Sequence, residues 1–492
     1  MDSLNILIGI GLVHCTLFFF DTFFRSCSHY PYLYFLKNTG ITIEALRIRW
    51  YTTACNRMIM KWATDRSKFW LAWFNAGVII TILLLPVASF IILKMTFNLW
   101  TGQTAKDNSV QTLEPMLPGV NLPLDEIGYY AATLALCSVV HEFGHALAAA
   151  REDVQVFGMG LLVALVIPVA YAHISSEQLG VLPVYNQLRI LCAGVWHNIV
   201  LATLAAGTLI LTTWLWAPLY TVGHGVAVKT ITSNSPLLGS TGLLPRDTIY
   251  RINDCTVNDC DDWYHCILTA VRRPSPGYCV TQKLIQEYDE SVPAWHMANG
   301  AVSCCGEDSE AAGSLCFEYI EGPPAAPLQL PPHSCLPARL VTFHAQRFCQ
   351  YSHHCTPHET HCMQPSLDNV TKVVQIKRRE GKDVLFIGDP GDIYRTVDVS
   401  DWVPKYSFLN SELPEALALL CKYVTVFSAG LAVVNVVPCF CFDGQYIVAA
   451  LFMLRSRIRQ KSLRQALALT VTCIGTLFLS INLVYIFVNK II

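Results

Sequence analysis

The sequence is poor in charged residues. Asp, Glu, Lys and Arg make up 14% of its 492 residues, whereas soluble domains average about 25%. The formal net charge is only −2, so the basic excess of a nucleic-acid-binding protein and the charge-rich composition of a disordered chain are both missing. Hydrophobic residues reach 53% and stand in long runs. This composition excludes a conventional soluble enzyme and predicts a multi-pass membrane protein with an additional folded domain.

The first apolar run also lacks the pattern of a cleavable signal peptide. The first apolar run follows the acidic Asp2 rather than a basic segment, and no small-residue cleavage site comes after it. Residues 1–24 therefore predict a first transmembrane helix. Five more runs reach the roughly 20 residues that a bilayer requires, at 70–93, 127–150, within 187–216, 414–437 and 465–488.

The distribution of Lys and Arg orients these six spans. Basic residues concentrate at 25–69 and 455–464, which we expect to be cytosolic, whereas acidic residues outnumber lysines at 94–126, which we expect to be lumenal. The N-terminus and residues 217–412 are then lumenal too. Only three residues separate the apolar run at 154–174 from the third span. If this run also crossed the bilayer, the cysteine-rich region would lie in the cytosol. We interpret the run as a re-entrant membrane β-hairpin, with a seventh helix as the alternative.

Cysteine is concentrated in one segment. Eleven of the 20 cysteines lie between Cys255 and Cys362, a density typical of an oxidising compartment. Four histidines among them (His353, His354, His358 and His361) leave a zinc module as an alternative, but no C-x2-C pair has finger spacing, so disulfides are favoured. Because eleven is odd, at least one thiol has no partner in this segment. Asn369-Val370-Thr371 is a glycosylation sequon that supports the lumenal assignment.

Residues 217–412 have the composition of a soluble domain. The stretch around Thr248–Ile252 resembles the G-D-x-I-x-x-I-N-G segment of PDZ domains, with Arg246 and Asp254 where glycine is usual. We predict a lumenal PDZ-like α/β domain with a cysteine-rich insertion. Such a domain accepts an extended peptide or serves only as a cap over the membrane core, and the sequence leaves both open.

The chemistry lies in the third span. His141 and His145 are four residues apart, so they share one helix face and can bind one Zn²⁺. Glu142 is placed to act as the general base on water. Ionisable residues at membrane depth are costly unless they are used. Asp443, in the 413–454 membrane segment near the cytosolic end of the fifth span, is the candidate third ligand, with Cys439 and Cys441 as alternatives. The metal is expected in the cytosolic half of the bilayer.

Three motifs together resemble the site-2 protease family of intramembrane zinc metalloproteases. They are His141-Glu142-Phe143-Gly144-His145, Gly194-x3-Asn198 and Asn435-x2-Pro438-x4-Asp443-Gly444, and the resemblance covers nearly the whole chain. It implies zinc-dependent cleavage of the transmembrane helices of membrane-anchored transcription factors, of the sterol-regulatory element-binding protein type, near the cytosolic side. Such cleavage follows a first lumenal cut and releases the cytosolic fragment.

The resemblance also implies a location and partners. It places the protein in the Golgi and endoplasmic reticulum, with pre-cleaved single-pass membrane proteins and membrane lipid as partners and no nucleic acid. Residues 127–216 would be the catalytic membrane core and 465–492 the last transmembrane helix. Asn198 or Asn435 would stabilise the oxyanion or contact substrate, whereas His173 and His197 are interpreted as supporting or structural. An ion transporter or a non-catalytic scaffold remains as the alternative, although internal repeats are not visible and Glu142 is present.

Overall fold

A computed structural model describes residues 3–101, 126–165, 167–239, 241–298, 300–321, 332–345, 347–356, 360–454 and 460–491. The predicted loop at 94–126 therefore lies largely outside the described residues, as do His358 and the first five residues of the predicted basic loop at 455–464. The chain divides into two compact units. The first combines Met1–Leu211 with Ala418–Ile492, and the second is Thr212–Leu417.

The N-terminal segment mixes long apolar helices with four strands. Its elements are α1 (Ser3–Ser26), α2 (Tyr30–Thr39), β1 (Ile41–Glu44), β2 (Arg47–Thr52), α3 (Asn56–Asp65), α4 (Ser67–Trp100), α5 (Ile127–Arg151), β3 (Val156–Ala164), β4 (Ile167–Ile174), α6 (Ser176–Val181) and α7 (Val184–Ile210).

The central segment contains mainly short strands and helices. Its elements are α8 (Thr212–Trp216), β5 (Tyr220–Thr221), β6 (Val226–Ile231), β7 (Thr248–Ile252), β8 (Cys255–Thr256), α9 (Cys260–Arg272), β9 (Gly277–Thr281), α10 (Gln282–Tyr288), β10 (Trp295–His296), β11 (Val302–Ser303), α11 (Glu307–Ala311), β12 (Ser314–Tyr319), β13 (His333–Pro337), α12 (Ala338–His344), β14 (Phe348–Cys349), β15 (Thr360–Pro365), β16 (Lys372–Arg378), β17 (Val384–Gly388), α13 (Pro390–Thr396), β18 (Val397–Ser400) and β19 (Val403–Pro404). The C-terminal helices are α14 (Glu412–Val436), α15 (Asp443–Leu454) and α16 (Lys461–Ile491).

The six predicted spans are confirmed as helices of sufficient length and hydropathy to cross a bilayer, namely α1, α4, α5, α7, α14 and α16. Large apolar side chains point outward from α4, where Leu83 is 66% and Phe90 is 64% exposed. Such exposure is unfavourable in water and is expected where lipid covers the surface. By contrast, α5 carries small residues that allow close packing against α7, including a buried run from Ala146 to Ala150.

The segment at 154–174 forms two strands rather than a helix. β3 and β4 pair as an antiparallel hairpin, and its re-entrant position in a membrane stays a prediction. The hairpin belongs to a four-stranded sheet in the order β1-β2-β3-β4. Residues 25–69, predicted only as a loop, supply β1 and β2, and β2 pairs with β3 over its whole length, from Arg47 opposite Ala164 to Thr52 opposite Met159.

The chain breaks between α14 and α15. Pro438 follows the end of α14, Cys441 adopts a positive φ of 71°, and the new helix begins at Asp443. Gly444 is necessary at this corner, because a Cβ there would lie 2.1 Å from the carbonyl oxygen of Val437. The tight corner thus places Asp443 at the first position of α15.

The second unit contains two main sheets. One has the order β17-β16-β7-β6-β18, with β8 paired to β7, and the predicted strand Thr248–Ile252 is its central member. Its core includes the fully buried Trp263 of α9. The other has the order β13-β12-β15-β9-β14 and is built from the cysteine-rich segment, for which the sequence shows no strand periodicity. The PDZ-like assignment stays a prediction.

Ten of the eleven clustered cysteines form disulfides, as expected for an oxidising compartment. The pairs are Cys255–Cys266, Cys279–Cys355, Cys304–Cys316, Cys305–Cys335 and Cys349–Cys362. Cys260 is the remaining free thiol of this segment. Burial, and then a hydrogen bond with Asp401, raises the pKa of the Cys260 thiol, so it stays protonated and is a poor nucleophile.

Candidate metal centre

Three predicted ligands meet at one point in the first unit. His141 and His145 project from the same face of α5, and the corner before α15 brings Asp443 to them. The Oδ2 atom of Asp443 lies 3.0 Å from Nε2 of His141 and 3.2 Å from Nε2 of His145. The two Nε2 atoms are 3.2 Å apart. The two imidazole side chains are nearly buried, and the carboxylate is 20% exposed.

This donor set fits zinc. Zinc ligands at 2.0–2.2 Å in a tetrahedral arrangement are about 3.3 Å from one another, close to the separations between these three side-chain atoms. Two histidines and one carboxylate match the three protein ligands of a catalytic zinc site, which keeps its fourth position for water or substrate. Cys439 is buried and Cys441 is exposed, and neither belongs to a metal-binding group among the described residues.

Close approach of α7 to α5 completes the centre. A Cβ on Gly194 would lie 2.3 Å from Nε2 of His145 and 2.6 Å from Nε2 of His141. Only glycine fits against these rings, which gives the second sequence motif a physical reason. On the same helix, the carbonyl oxygen of Ile190 lies 2.7 Å from Nδ1 of His145, and it orients that imidazole.

Glu142 faces the edge of the sheet. Its Oε2 atom accepts a 2.9 Å hydrogen bond from the backbone N–H of Ala172 in β4. One turn earlier on α5, Oγ of Ser138 accepts a 2.8 Å bond from the N–H of Ala170. Side chains four residues apart on α5 therefore bind backbone N–H groups two residues apart on β4. The spacings match because four helical residues and two strand residues each advance by about 6 Å. Ser138 is not among the site residues predicted from the sequence, although its i, i+4 relation to Glu142 is visible there.

The two predicted asparagines differ in surroundings. Asn198 is completely buried, and its amide nitrogen lies 3.2 Å from Nδ1 of His141. Asn435, near the end of α14, is half-buried, and its side chain has no hydrogen bond to another described residue. The structure thus brings the side chain of Asn198, but not that of Asn435, within hydrogen-bond distance of a ligand side chain.

The remaining candidate residues do not belong to the ligand cluster. His197 is packed between helices, where its Nδ1 lies 2.7 Å from the carbonyl oxygen of Ala193 and its ring contacts Phe74. His173 is exposed in β4 beside the ring of Phe157. Both positions suit the structural interpretation. Asn369 is exposed before β16, as a glycan would require, and its modification stays a prediction.

Comparison with known proteins gives a family profile and curated relatives. A family profile described as "Peptidase family M50" matches residues 129–480, which include both histidines and Asp443. A protein of Arabidopsis thaliana named "Membrane-bound transcription factor site-2 protease homolog" is 31% identical over 188 residues. That alignment covers 35% of this chain and 36% of the relative, so the chain spans about a third of the length of this curated relative.

Proposed function

Because the chain belongs to peptidase family M50, we propose that it is a zinc-dependent endopeptidase that cleaves transmembrane helices. Family membership supports an intramembrane metalloprotease, and zinc is the metal that such enzymes use. The observation that carries the proposal is the meeting of Asp443, at the start of the shorter apolar helix α15, with His141 and His145 of α5, a helix apolar enough to span a bilayer. Burying three ionisable groups in such a setting is costly unless they serve a metal or a reaction.

Each residue has a separate task in peptide hydrolysis. When bound, zinc supplies Lewis acidity that activates water and polarises the scissile carbonyl. His141, His145 and Asp443 would hold it. Glu142, one residue beyond His141, takes the proton of the attacking water and passes it to the leaving amine nitrogen. Asn435, half-buried on the helix before Asp443, remains the candidate donor to the oxyanion.

Strand β4 offers a surface for the substrate. It is an edge strand, paired only with β3 within the four-stranded sheet. A helical substrate has to unwind before its amides are accessible, and an unwound segment can add to a sheet edge. Here the N–H groups of Ala170 and Ala172 bind Ser138 and Glu142. An incoming strand competes for these N–H groups, so we expect substrate entry to release the Glu142 carboxylate from Ala172.

The substrates that we propose are membrane-anchored transcription factors, including the sterol-regulatory element-binding type, already cut once in the lumen. The name of the Arabidopsis relative supports this class, as do the motifs of the site-2 protease family. We place the enzyme in Golgi and endoplasmic reticulum membranes. Cleavage near the cytosolic side would then release the cytosolic fragment, in line with the predicted depth of His141.

The test is Glu142→Gln in the full chain. The amide keeps the shape of the side chain but cannot accept a proton, so zinc content should persist while cleavage of a trimmed substrate falls by about 10²–10⁴-fold. Glu177→Gln makes the same chemical change at an exposed position of α6 and should leave cleavage unchanged. Zinc content and release of the cytosolic fragment are measured side by side.

Two results would overturn these roles. Normal cleavage by a zinc-replete Glu142→Gln protein removes Glu142 from the chemistry. Loss of zinc together with cleavage shows instead that Glu142 is needed to hold the metal.

A further inference from the structure

One face of α7 supports both metal-binding imidazoles. Ile190, Gly194 and Asn198 are spaced by four residues, so they form a line along the helix that advances about 6 Å at each step. His145 and His141 have the same spacing on the neighbouring α5. Ile190 contacts His145, Asn198 contacts His141, and Gly194 lies against both rings. Each metal-binding histidine of α5 is therefore contacted by a residue of α7 at the same level along the two helices.

The hydrogen bond between His145 and Ile190 can have only one direction. The carbonyl oxygen of Ile190 can only accept, so Nδ1 of His145 carries the proton and donates across 2.7 Å. The lone pair is thereby left on Nε2, the atom that faces Asp443. A hydrogen bond from the far nitrogen to a fixed acceptor is the usual way in which proteins orient a metal-binding histidine.

His141 requires an acceptor at the equivalent position. Its Nε2 also faces Asp443, at 3.0 Å, so the proton has to be on Nδ1 if Nε2 is to bind a metal. The amide nitrogen of Asn198 lies 3.2 Å from Nδ1, whereas Oδ1 of the same amide is buried with no hydrogen-bond partner among the described residues. A half-turn of the amide exchanges these two atoms within the same volume. The oxygen and the imidazole N–H then become partners of each other, and the amide nitrogen takes the position of the oxygen.

We propose that Asn198 is a positioning residue that accepts the Nδ1–H of His141 through its Oδ1 atom and fixes the tautomer that binds metal. This role rests on the proposed zinc site. It also separates the two asparagines, because Asn198 is fully buried and lies on the far side of the ring from Asp443. Asn198 is thus not an oxyanion donor, a role that the sequence left open for Asn198 or Asn435.

Zinc affinity of the purified full chain tests the role without relying on activity. Loss of a supporting hydrogen bond to a ligand typically costs 10–100-fold in metal affinity, so we expect a loss of about that size in Asn198→Ala. Asn198→Asp keeps an acceptor and should restore the affinity. Asn482→Ala is the matched control, since Asn482 is also a buried asparagine on a candidate span, bonded there to Thr96, and it should bind zinc normally.

The visible absorption of Co²⁺ substituted for zinc gives a second readout. It should change in Asn198→Ala, because the imidazole is free to reorient, and return in Asn198→Asp. Equal zinc affinity in Asn198→Ala and Asn482→Ala overturns the proposal, as does weaker binding by Asn198→Asp than by Asn198→Ala. The variant His141→Ala distinguishes failure of the proposed Asn198 role from failure of the proposed zinc site. If this variant loses zinc while Asn198→Ala keeps it, only the role of Asn198 fails, whereas equal affinity in wild type and His141→Ala removes the metal site itself.

Discussion

Replacing Gly194 with alanine places one methyl group between the ligand rings. The added carbon would lie 2.3 Å from Nε2 of His145, while an ordinary contact begins near 3.4 Å. The nitrogen therefore has to move by about 1 Å, or α7 has to withdraw from α5 by a similar distance. Overpacking of this kind typically costs 1–3 kcal/mol of stability. A displacement of about 1 Å at a reacting centre can cost 10²-fold in rate.

The same helix provides a control for this substitution. Gly207 also lies within α7, but a Cβ added there meets no atom within 4 Å. Gly207→Ala should therefore be neutral, or stabilising by about 0.5–1 kcal/mol through helix propensity. We expect Gly194→Ala to lose zinc affinity in a chelator competition and to cleave a transmembrane substrate about 100-fold more slowly. If Gly194→Ala matches Gly207→Ala in both assays, the close approach of α7 is irrelevant to the centre.

Two further predictions concern the third ligand and the topology. Asp443→Asn should lower zinc occupancy and cleavage together, by at least the 10–100-fold typical of lost supporting contacts, whereas Cys441→Ser should keep both; retention of zinc by a His141→Ala, Asp443→Ala double variant would refute the ligand set. Asn369→Cys should lose glycosidase-sensitive mass and resist a membrane-impermeant maleimide added from the cytosolic side, and labelling from that side would contradict the lumenal assignment of residues 217–412.

Local sequence patterns predicted most of the first unit. Long apolar runs marked the spans, because a bilayer demands an uninterrupted stretch of apolar residues. Strand propensity and the glycines Gly158 and Gly160 favoured a hairpin over a helix at 154–174. The strand that pairs with this hairpin, β2, was not predictable. Strand β2 contacts β3 across more than a hundred residues of chain, and a single sequence contains no signal for such a long-range register.

The cysteine-rich sheet was missed for a related reason. Its strands β9, β12 and β15 are covered and cross-linked, so both faces carry buried residues and the alternation of polar with apolar residues is lost. The disulfide cysteines form two further buried clusters beside an apolar cluster that includes Tyr278 and Phe317. The sequence thus predicted that disulfides form, but neither their pairing nor the strands that they join.

In the candidate site, too, local spacing was predictable from the sequence, whereas contacts between separate elements were not. Helical spacing alone placed His141, Glu142 and His145 on one element, and Asp443 followed from its predicted depth. The neighbours of these residues came from other elements. Ile190 acts through a backbone oxygen, which no side-chain motif can reveal, and the contact between Asn198 and His141 depends on how α7 packs against α5.

The disulfide connectivity has a consequence for how the protein is made. Cys304, Cys305, Cys316 and Cys335 form one buried cluster, in which Cys316 and Cys335 are cross-strand neighbours yet each bonds to a different cysteine. Four cysteines allow three connectivities, so two wrong isomers are within reach during synthesis. The protonated Cys260 cannot catalyse their repair. Repair of a wrong isomer therefore needs a thiol from outside this segment, so we expect co-expression of a disulfide isomerase to raise the yield of correctly paired protein.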